Sequence, residues 1–399
     1  MSDVALQASA ARPVRLAVVG VSVRATCGVR DHATILADAL ARERVSPSMH
    51  WLTRRETSLL ATRSEVSTWT RRLSDELDRS PPDAVLLHYS VFSFSHRGVP
   101  LFVHPTLAAL HSSRIPLVAM MHELAYPWRY SGVRGDMWAL SQRALLIDVM
   151  RASRAAIVTA DARAEWLASR AWLPTRPVLV APVFSNLPSP EQAPSRERSA
   201  LVVGLFGYSY EGAALSLVLD AVGLLSSRGV HVQLRLLGAP GRSSPAGEAW
   251  LAAARTRGLE HVFSFSEALP AQALSNALAA CDLLLFPDAA GPSSRKGTLA
   301  ASLASGRPVV ALDGPNRWRK LIDADAARVV APTPEALADA IGTLGAQQEQ
   351  REALGARGHS FAQREMGVAR SVQVVKELLT QILSPTASDS SGLSGLAAL

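Results

Sequence analysis

Two adjacent cations, Arg295 and Lys296, stand in FPDAAGPSSRKGTLAASLASGRPVVAL, residues 286–312, between a loop of Pro, Asp, Gly and Ser and an Ala/Leu segment of helical character. A helix beginning near Arg295 would be capped by Ser293 or Ser294, leaving its first backbone N–H groups and the positive end of its dipole beside the two cations. Cations are disfavoured there unless something negative offsets them. With Gly297 and the Thr298 hydroxyl added, the set is an anion site, most naturally for phosphate. A solvated basic cap on an ordinary helix is the alternative. The loop is not a P-loop, because the lysine of RKGT precedes its glycine.

Histidines close two apolar runs. His122 and Glu123 end PLVAMMHE, and His88 sits near the end of DAVLLHY. An imidazole with a pKa near neutrality at such a position could bond a ligand hydroxyl or act as acid or base, which makes His122 the catalytic candidate and His88 and Glu123 lining residues. A histidine satisfied by backbone at a sheet edge is the alternative. Gly28, after Cys27, opens the helical pattern VRDHATILADALARE, where the lack of a Cβ lets a ligand approach. A plain turn glycine reads as well. Gly207 and Tyr208 follow the apolar run ALVVGLF, so their backbone can face a phosphate, while Glu211 reads as an acid at a helix N-terminus. AYPWRY, residues 125–130, offers rings for stacking or for loop packing. No Asp-x-Asp pair lies in a suitable loop and no His/Cys cluster has ligand spacing, so no metal is expected.

These residues need elements to hold them. Short apolar runs alternate with helical patterns from Val14 onward, the mark of βαβ units and parallel sheets. Strands are predicted at 14–20, 48–53, 83–89, 116–123, 155–160 and 177–182, then at 200–207, 230–238, 261–266, 281–287, 307–312 and 327–332. Between the two sets, NLPSPEQAPSRERS, residues 186–199, has three prolines and no apolar period, and reads as a linker. The expected organisation is a flexible segment 1–13, a first Rossmann-like domain 14–185, a second 200–365, a helix 366–383 and a disordered tail 384–399. The fold class is α/β, two doubly wound domains facing a cleft, with ligands beyond the carboxyl ends of the strands. Gly306 supplies a left-handed helix end, with Pro308 just beyond.

A chain of 399 residues suits two domains, and its formal net charge of +7 suggests an anionic partner. The basic residues are scattered, without zinc-finger spacing or an RNA-binding aromatic signature, so nucleic acid is not expected. Cys27 and Cys281 are too few for a disulfide scaffold and fit a reducing compartment. No long apolar run signals a membrane span or a leader, and a cytoplasmic protein is expected.

The order LRLLG, SEALPAQALSNALAACD, CDLLLFP and SSRKGTLAASLASGRPVV resembles the C-terminal half of GT-B glycosyltransferases, especially the retaining group that uses sugar nucleotides. VVGVSVRATCGVRDHATILADAL is similar to that family's first strand, glycine loop and first helix. The resemblance implies an enzyme whose second domain binds a nucleotide diphosphate sugar through Gly207, Tyr208 and Ser293 to Thr298. Its first domain presents a glycan, lipid-linked or small-molecule acceptor near Gly28, His88 and Glu123. It also implies a histidine at the His122 position, no cofactor apart from the donor, and a final helix returning to the first domain, while the basic surplus suggests peripheral contact with an anionic membrane. Many retaining members carry two glutamates with seven residues between them, and here those positions hold Ser293 and Ala301. Their loss keeps two alternatives open: a noncatalytic protein that binds a sugar nucleotide or glycan, and a sugar-nucleotide epimerase.

Overall fold

A computed structural model describes residues 12–24, 27–129, 132–191, 200–207, 212–238 and 241–384. The expected flexible start and disordered tail lie almost wholly outside these residues, as do Tyr208, Glu211 and most of the proline-rich stretch. The chain divides into two compact units. One runs up to Ala181 and takes back the chain from Ser371, and the other is Pro182–Arg370.

The first unit alternates strand and helix: β1 (Val14–Ser22), α1 (Gly28–Ala41), β2 (Val45–Thr53), α2 (Leu59–Arg79), β3 (Ala84–Ser90), α3 (Val103–Ser112) and β4 (Leu117–Glu123). It continues with α4 (Gly132–Ala152), β5 (Ala155–Val158), α5 (Asp161–Ala168) and β6 (Val178–Val180). The second unit repeats the rhythm: β7 (Leu201–Phe206), α6 (Gly212–Ser227), β8 (Val232–Leu237), α7 (Pro245–Arg255), β9 (Phe263–Phe265), α8 (Ala271–Ala279) and β10 (Leu283–Phe286). It closes with α9 (Gly297–Ala304), β11 (Val309–Leu312), α10 (Arg319–Asp323), β12 (Arg328–Val330), α11 (Pro334–Ala346) and α12 (Gln348–Glu365). The last helix, α13 (Val368–Leu383), leads back into the first unit.

Each unit has a six-stranded sheet, ordered β2-β1-β3-β4-β5-β6 in the first and β12-β11-β10-β7-β8-β9 in the second. Every strand pairing is parallel. Helices cover both faces of such sheets, so the strands read as continuous apolar runs rather than alternating ones. Val19, Leu87, Ala119 and Val158 are accordingly buried in one core, and Val203, Leu205 and Leu285 in the other.

The strand orders locate the sites. In the first sheet the chain moves outward from β1 to β2 and then crosses back to β3, so strand order reverses between β1 and β3. In the second it reverses between β7 and β10. Loops leaving the two strands at such a point turn in opposite directions and open a crevice at the carboxyl edge. His88 and the start of α1 belong to the first of these points. Gly207 and the Arg295 loop belong to the second. No described helix is long and apolar enough to cross a membrane.

Candidate functional site

At the first switch point the structure assembles three histidines. His88 lies in β3, His122 at the end of β4, and His32 one turn into α1, which follows β1. Their candidate ligand atoms lie within 4.8 Å of one another. His32 was not singled out from the sequence, because 56 residues of chain separate it from His88 and only the β1 to β3 crossover brings them together. Gly20 shapes the floor. It sits opposite Trp51 in the β1–β2 register, and a Cβ there would come within 2.2 Å of the indole. The absent side chain lets Trp51 lie across the sheet, with its ring 6.0 Å from that of His88.

His88 Nδ1 and His122 Nε2 are 3.0 Å apart. The two rings lie only 19° from parallel with centroids 5.3 Å apart, which is what the nitrogen gap plus a ring radius at each end adds up to. The contact is therefore close to in line, the geometry of a shared proton. His88 Nε2 is buried with no hydrogen-bond partner among the described residues. A buried N–H without an acceptor is the costlier orphan, so the proton belongs on Nδ1 and is donated to His122 Nε2. Neutral His122 must then carry its own proton on Nδ1.

All three rings are held neutral. Burial pushes His32 and His88 well below the ordinary imidazole range, with the neighbouring rings adding to it. Burial and then the charge of Arg163 bring His122 down to about 4. Arg163 also donates to the His122 carbonyl and to Thr159 Oγ1. This corrects the expectation of a near-neutral pKa: a ring enclosed by a sheet and two other imidazoles cannot hold a charge cheaply. Of the described residues, these three are the one group of His, Cys, Asp and Glu with atoms close enough to hold a metal ion. A tetrahedral ion with bonds of about 2.0–2.1 Å keeps its ligand nitrogens about 3.3 Å apart and sits off the line between them. The His88–His122 pair would have to open to admit one.

Glu123, half-buried, ends β4 beside His122, and Ser90 Oγ lies 3.5 Å from its Oε2. Gly28 starts α1 behind the N-cap Cys27, and a Cβ added to it would meet nothing within 4 Å. No close packing in the described structure demands a glycine there.

At the second switch point, Gly207 and α9 meet. Gly207 has φ +69, and a Cβ on it would lie 3.0 Å from Thr298 Cγ2. Glycine is favoured on both counts, and the end of β7 thereby reaches the first turn of α9. The capping expectation is corrected. The N-cap is Lys296, without a side-chain cap bond, while Ser293 and Ser294 are buried in the preceding loop at 6% and 1% exposure. The Ser294 carbonyl accepts from Val183 N at 2.8 Å and the Ser293 carbonyl from Lys296 N at 3.2 Å. Further bonds from Asn316 N to Ala290 O and Trp318 N to Pro292 O pin the same loop. The serines brace the loop instead of closing the helix.

The two cations differ. Lys296 Nζ lies 2.7 Å from Asp288 Oδ2, and the other oxygen of Asp288 accepts from Ala290 N. Asp288 was missed in the sequence, although it stands in the same loop, because nothing in its spacing shows that the loop folds back on itself. Arg295 is half-buried and makes no ion pair among the described residues. Among the described residues, the negative group that the sequence calls for is supplied for Lys296 and not for Arg295.

Residues 197–347 match the family model Glycosyl transferases group 1. No curated protein matches the sequence. Among solved structures, sucrose-phosphate synthase from Thermosynechococcus elongatus is similar at a TM-score of 0.68 and 14% identity, over 94% of this chain and 100% of that one. Anabaena HepE in complex with UDP and glucose is similar at 0.64 and 16% identity, over 92% and 100%. A Listeria monocytogenes protein assigned as a UDP-N-acetylglucosamine 2-epimerase is similar at 0.60 and 14%, over 94% and 98%. At these identities the likeness establishes the fold: the chain has the two-sheet GT-B architecture of glycosyltransferases, and its second unit carries the family match.

Proposed function

We propose that this protein transfers a sugar from a nucleotide diphosphate sugar to a glycan, lipid-linked or small-molecule acceptor. The observation that carries the reading is Arg295, a cation just before α9 with no anion partner among the described residues, inside the segment that matches the glycosyltransferase family. Breaking the bond between sugar and diphosphate leaves negative charge on the departing oxygen. Donors already in place stabilise such charge without reorganising at the moment of reaction. Arg295, the first N–H groups of α9 and the Gly207 backbone would supply them. Lys296 joins by exchanging Asp288 for a phosphate oxygen, so Asp288 holds the ammonium in position and weakens its net pull. His122, fixed by His88, offers Nδ1–H as a neutral donor to a sugar or acceptor hydroxyl. Because cations already face the leaving group, activity is expected to persist in chelator, and activity that magnesium or manganese alone restores would overturn that part.

The test is calorimetry with UDP, GDP, ADP and dTDP. A charge-assisted contact is worth about 1.5–3 kcal/mol, so Arg295→Ala is expected to weaken the preferred diphosphate at least tenfold and the matching nucleoside hardly at all. Lys296→Ala is expected to weaken the diphosphate as well, since it leaves the Asp288 carboxylate uncompensated beside the phosphates. Equal diphosphate affinity in wild type and Arg295→Ala would return the loop to a solvated basic cap.

The likeness to the Listeria protein supports a second reading, epimerisation of the sugar nucleotide. Incubation with donor alone separates the two, because an epimerase changes the sugar without an acceptor. With Ser293 and Ala301 where many relatives of the family have glutamates, donor binding without transfer, hydrolysis or epimerisation would establish a binding protein instead.

A further inference from the structure

In the first unit, α4, α5 and the loops beside them border a cavity of about 470 Å³, lined among others by Trp128, Leu140, Arg143, Trp166, Arg170 and Trp172. Three indoles and two guanidiniums form its wall. Arg143 lies 4.6 Å from the Trp128 ring centre and 5.9 Å from that of Trp166, and Arg170 lies 4.9 Å from Trp166. Stacking fixes the two cations in place. Arg143 also spends one nitrogen on the carbonyls of Tyr126 and Ala139. Among the described residues no carboxylate lines the cavity, and neither arginine belongs to an ion pair. Arg170 Nε is buried without a hydrogen-bond partner among the described residues. Burial, and then the charge of Arg170, lower the Arg143 pKa.

The rim is apolar. Val133, Met137 and Leu140 project from successive turns of α4 at 79%, 61% and 63% exposure, and Leu140 lines the cavity as well. Residues spaced by three and four share one helix face, so they form a strip about 10 Å long running to the pocket mouth. Trp128 and Trp172 continue it at 48% and 42% exposure.

We propose that this pocket binds the phosphate monoester of a long apolar chain. A phosphate monoester carries close to two negative charges near neutral pH, enough for both guanidiniums, where a carboxylate would answer one. An extended strip suits a chain better than a compact ring. The pocket belongs to the first unit and the donor loop to the second, and the proposal does not depend on the sugar-transfer reading.

Decyl phosphate, used below its micellar concentration and without nucleotide, is the probe. Saturable binding is expected by calorimetry, with a change in tryptophan fluorescence because three of the eight indoles line the pocket. The double variant Arg143→Gln with Arg170→Gln is expected to bind at least tenfold more weakly. Should that variant unfold, Leu140→Glu on the exposed rim keeps the test, again with a tenfold loss. Decanol and inorganic phosphate should each bind at least tenfold more weakly than the ester. No saturable binding, equal affinity in the variants, or binding only to vesicles of anionic phospholipid would each overturn the proposal. Nucleoside diphosphate affinity in the same preparations reports separately on the donor site.

Discussion

At His122 the quantity that decides its chemistry is which nitrogen carries the proton. The in-line bond from His88 consumes Nε2 and leaves a donor on Nδ1, so a side chain that reproduces the nearer nitrogen should do better than one that reproduces the farther. His122→Asn is expected to keep more turnover than His122→Gln, and both should bind nucleoside diphosphate as wild type does. The reverse order, in steady-state rates at matched stability, would show that Nε2 faces the ligand. The pH dependence follows from the depressed pKa. A ring that titrates at about 4 stays neutral from pH 5.5 upward, so it should add no inflection near 6.5 to the rate profile. Stability behaves oppositely to that of a histidine stabilised by an acid. The unfolded chain takes up the His122 proton near 6.5 and the folded one near 4, so falling pH favours unfolding throughout that window. The gap is worth about 3 kcal/mol at most for His122 alone, and His32 and His88 add to it in the same direction. Denaturant midpoints at pH 7 and pH 5 should differ in wild type and draw closer in His122→Asn.

The elements were far more legible than the contacts between them. The strands appear where apolar runs predicted them, because in a sheet covered on both faces burial and sequence pattern coincide. Arg295 and Lys296 were also legible as the end of a loop that leads into a helix at Gly297 and Thr298, and Gly207 as the end of a strand. The helix start was misplaced, since serines normally cap helices and here serve to brace a loop. His32 and Asp288 were not legible at all, because their roles arise from crossover geometry and from a loop folding on itself. The Gly20–Trp51 pair belongs to the same class: glycine within an apolar strand gives no hint of what it admits. Gly20→Ala puts a methyl into the indole, and overpacking of this kind costs about 1–3 kcal/mol. Chemical denaturation is expected to show that loss, together with a changed environment at His88, visible as a shift of its imidazole resonances. A variant as stable as wild type would mean that Trp51 has another place to go.

At the scale of the whole chain, the fold is one pattern used twice, with a candidate site at the reversal of strand order in each sheet and the chain crossing back at its end. The return has a physical consequence for the first unit, which is not a continuous segment. Beyond Arg370, α13 buries Val372, Val374, Val375, Leu378 and Leu379 and groups with the first unit. Its Lys376 pairs with Glu43 at 2.6 Å. That pair is exposed, and surface pairs contribute about 1 kcal/mol or less, so Lys376→Ala should leave the melting temperature nearly unchanged. The apolar face is different. Fully burying one valine or leucine stabilises by about 1.5–3 kcal/mol, and five such residues amount to much of a domain's net stability. Truncation after Gly367 should therefore destabilise the first unit while leaving the second unit's core intact. Calorimetry is expected to show the transition of the first unit lowered or lost and nucleoside diphosphate still protecting the remaining one. A truncated chain that melts like the full one would show that α13 contributes packing without stability.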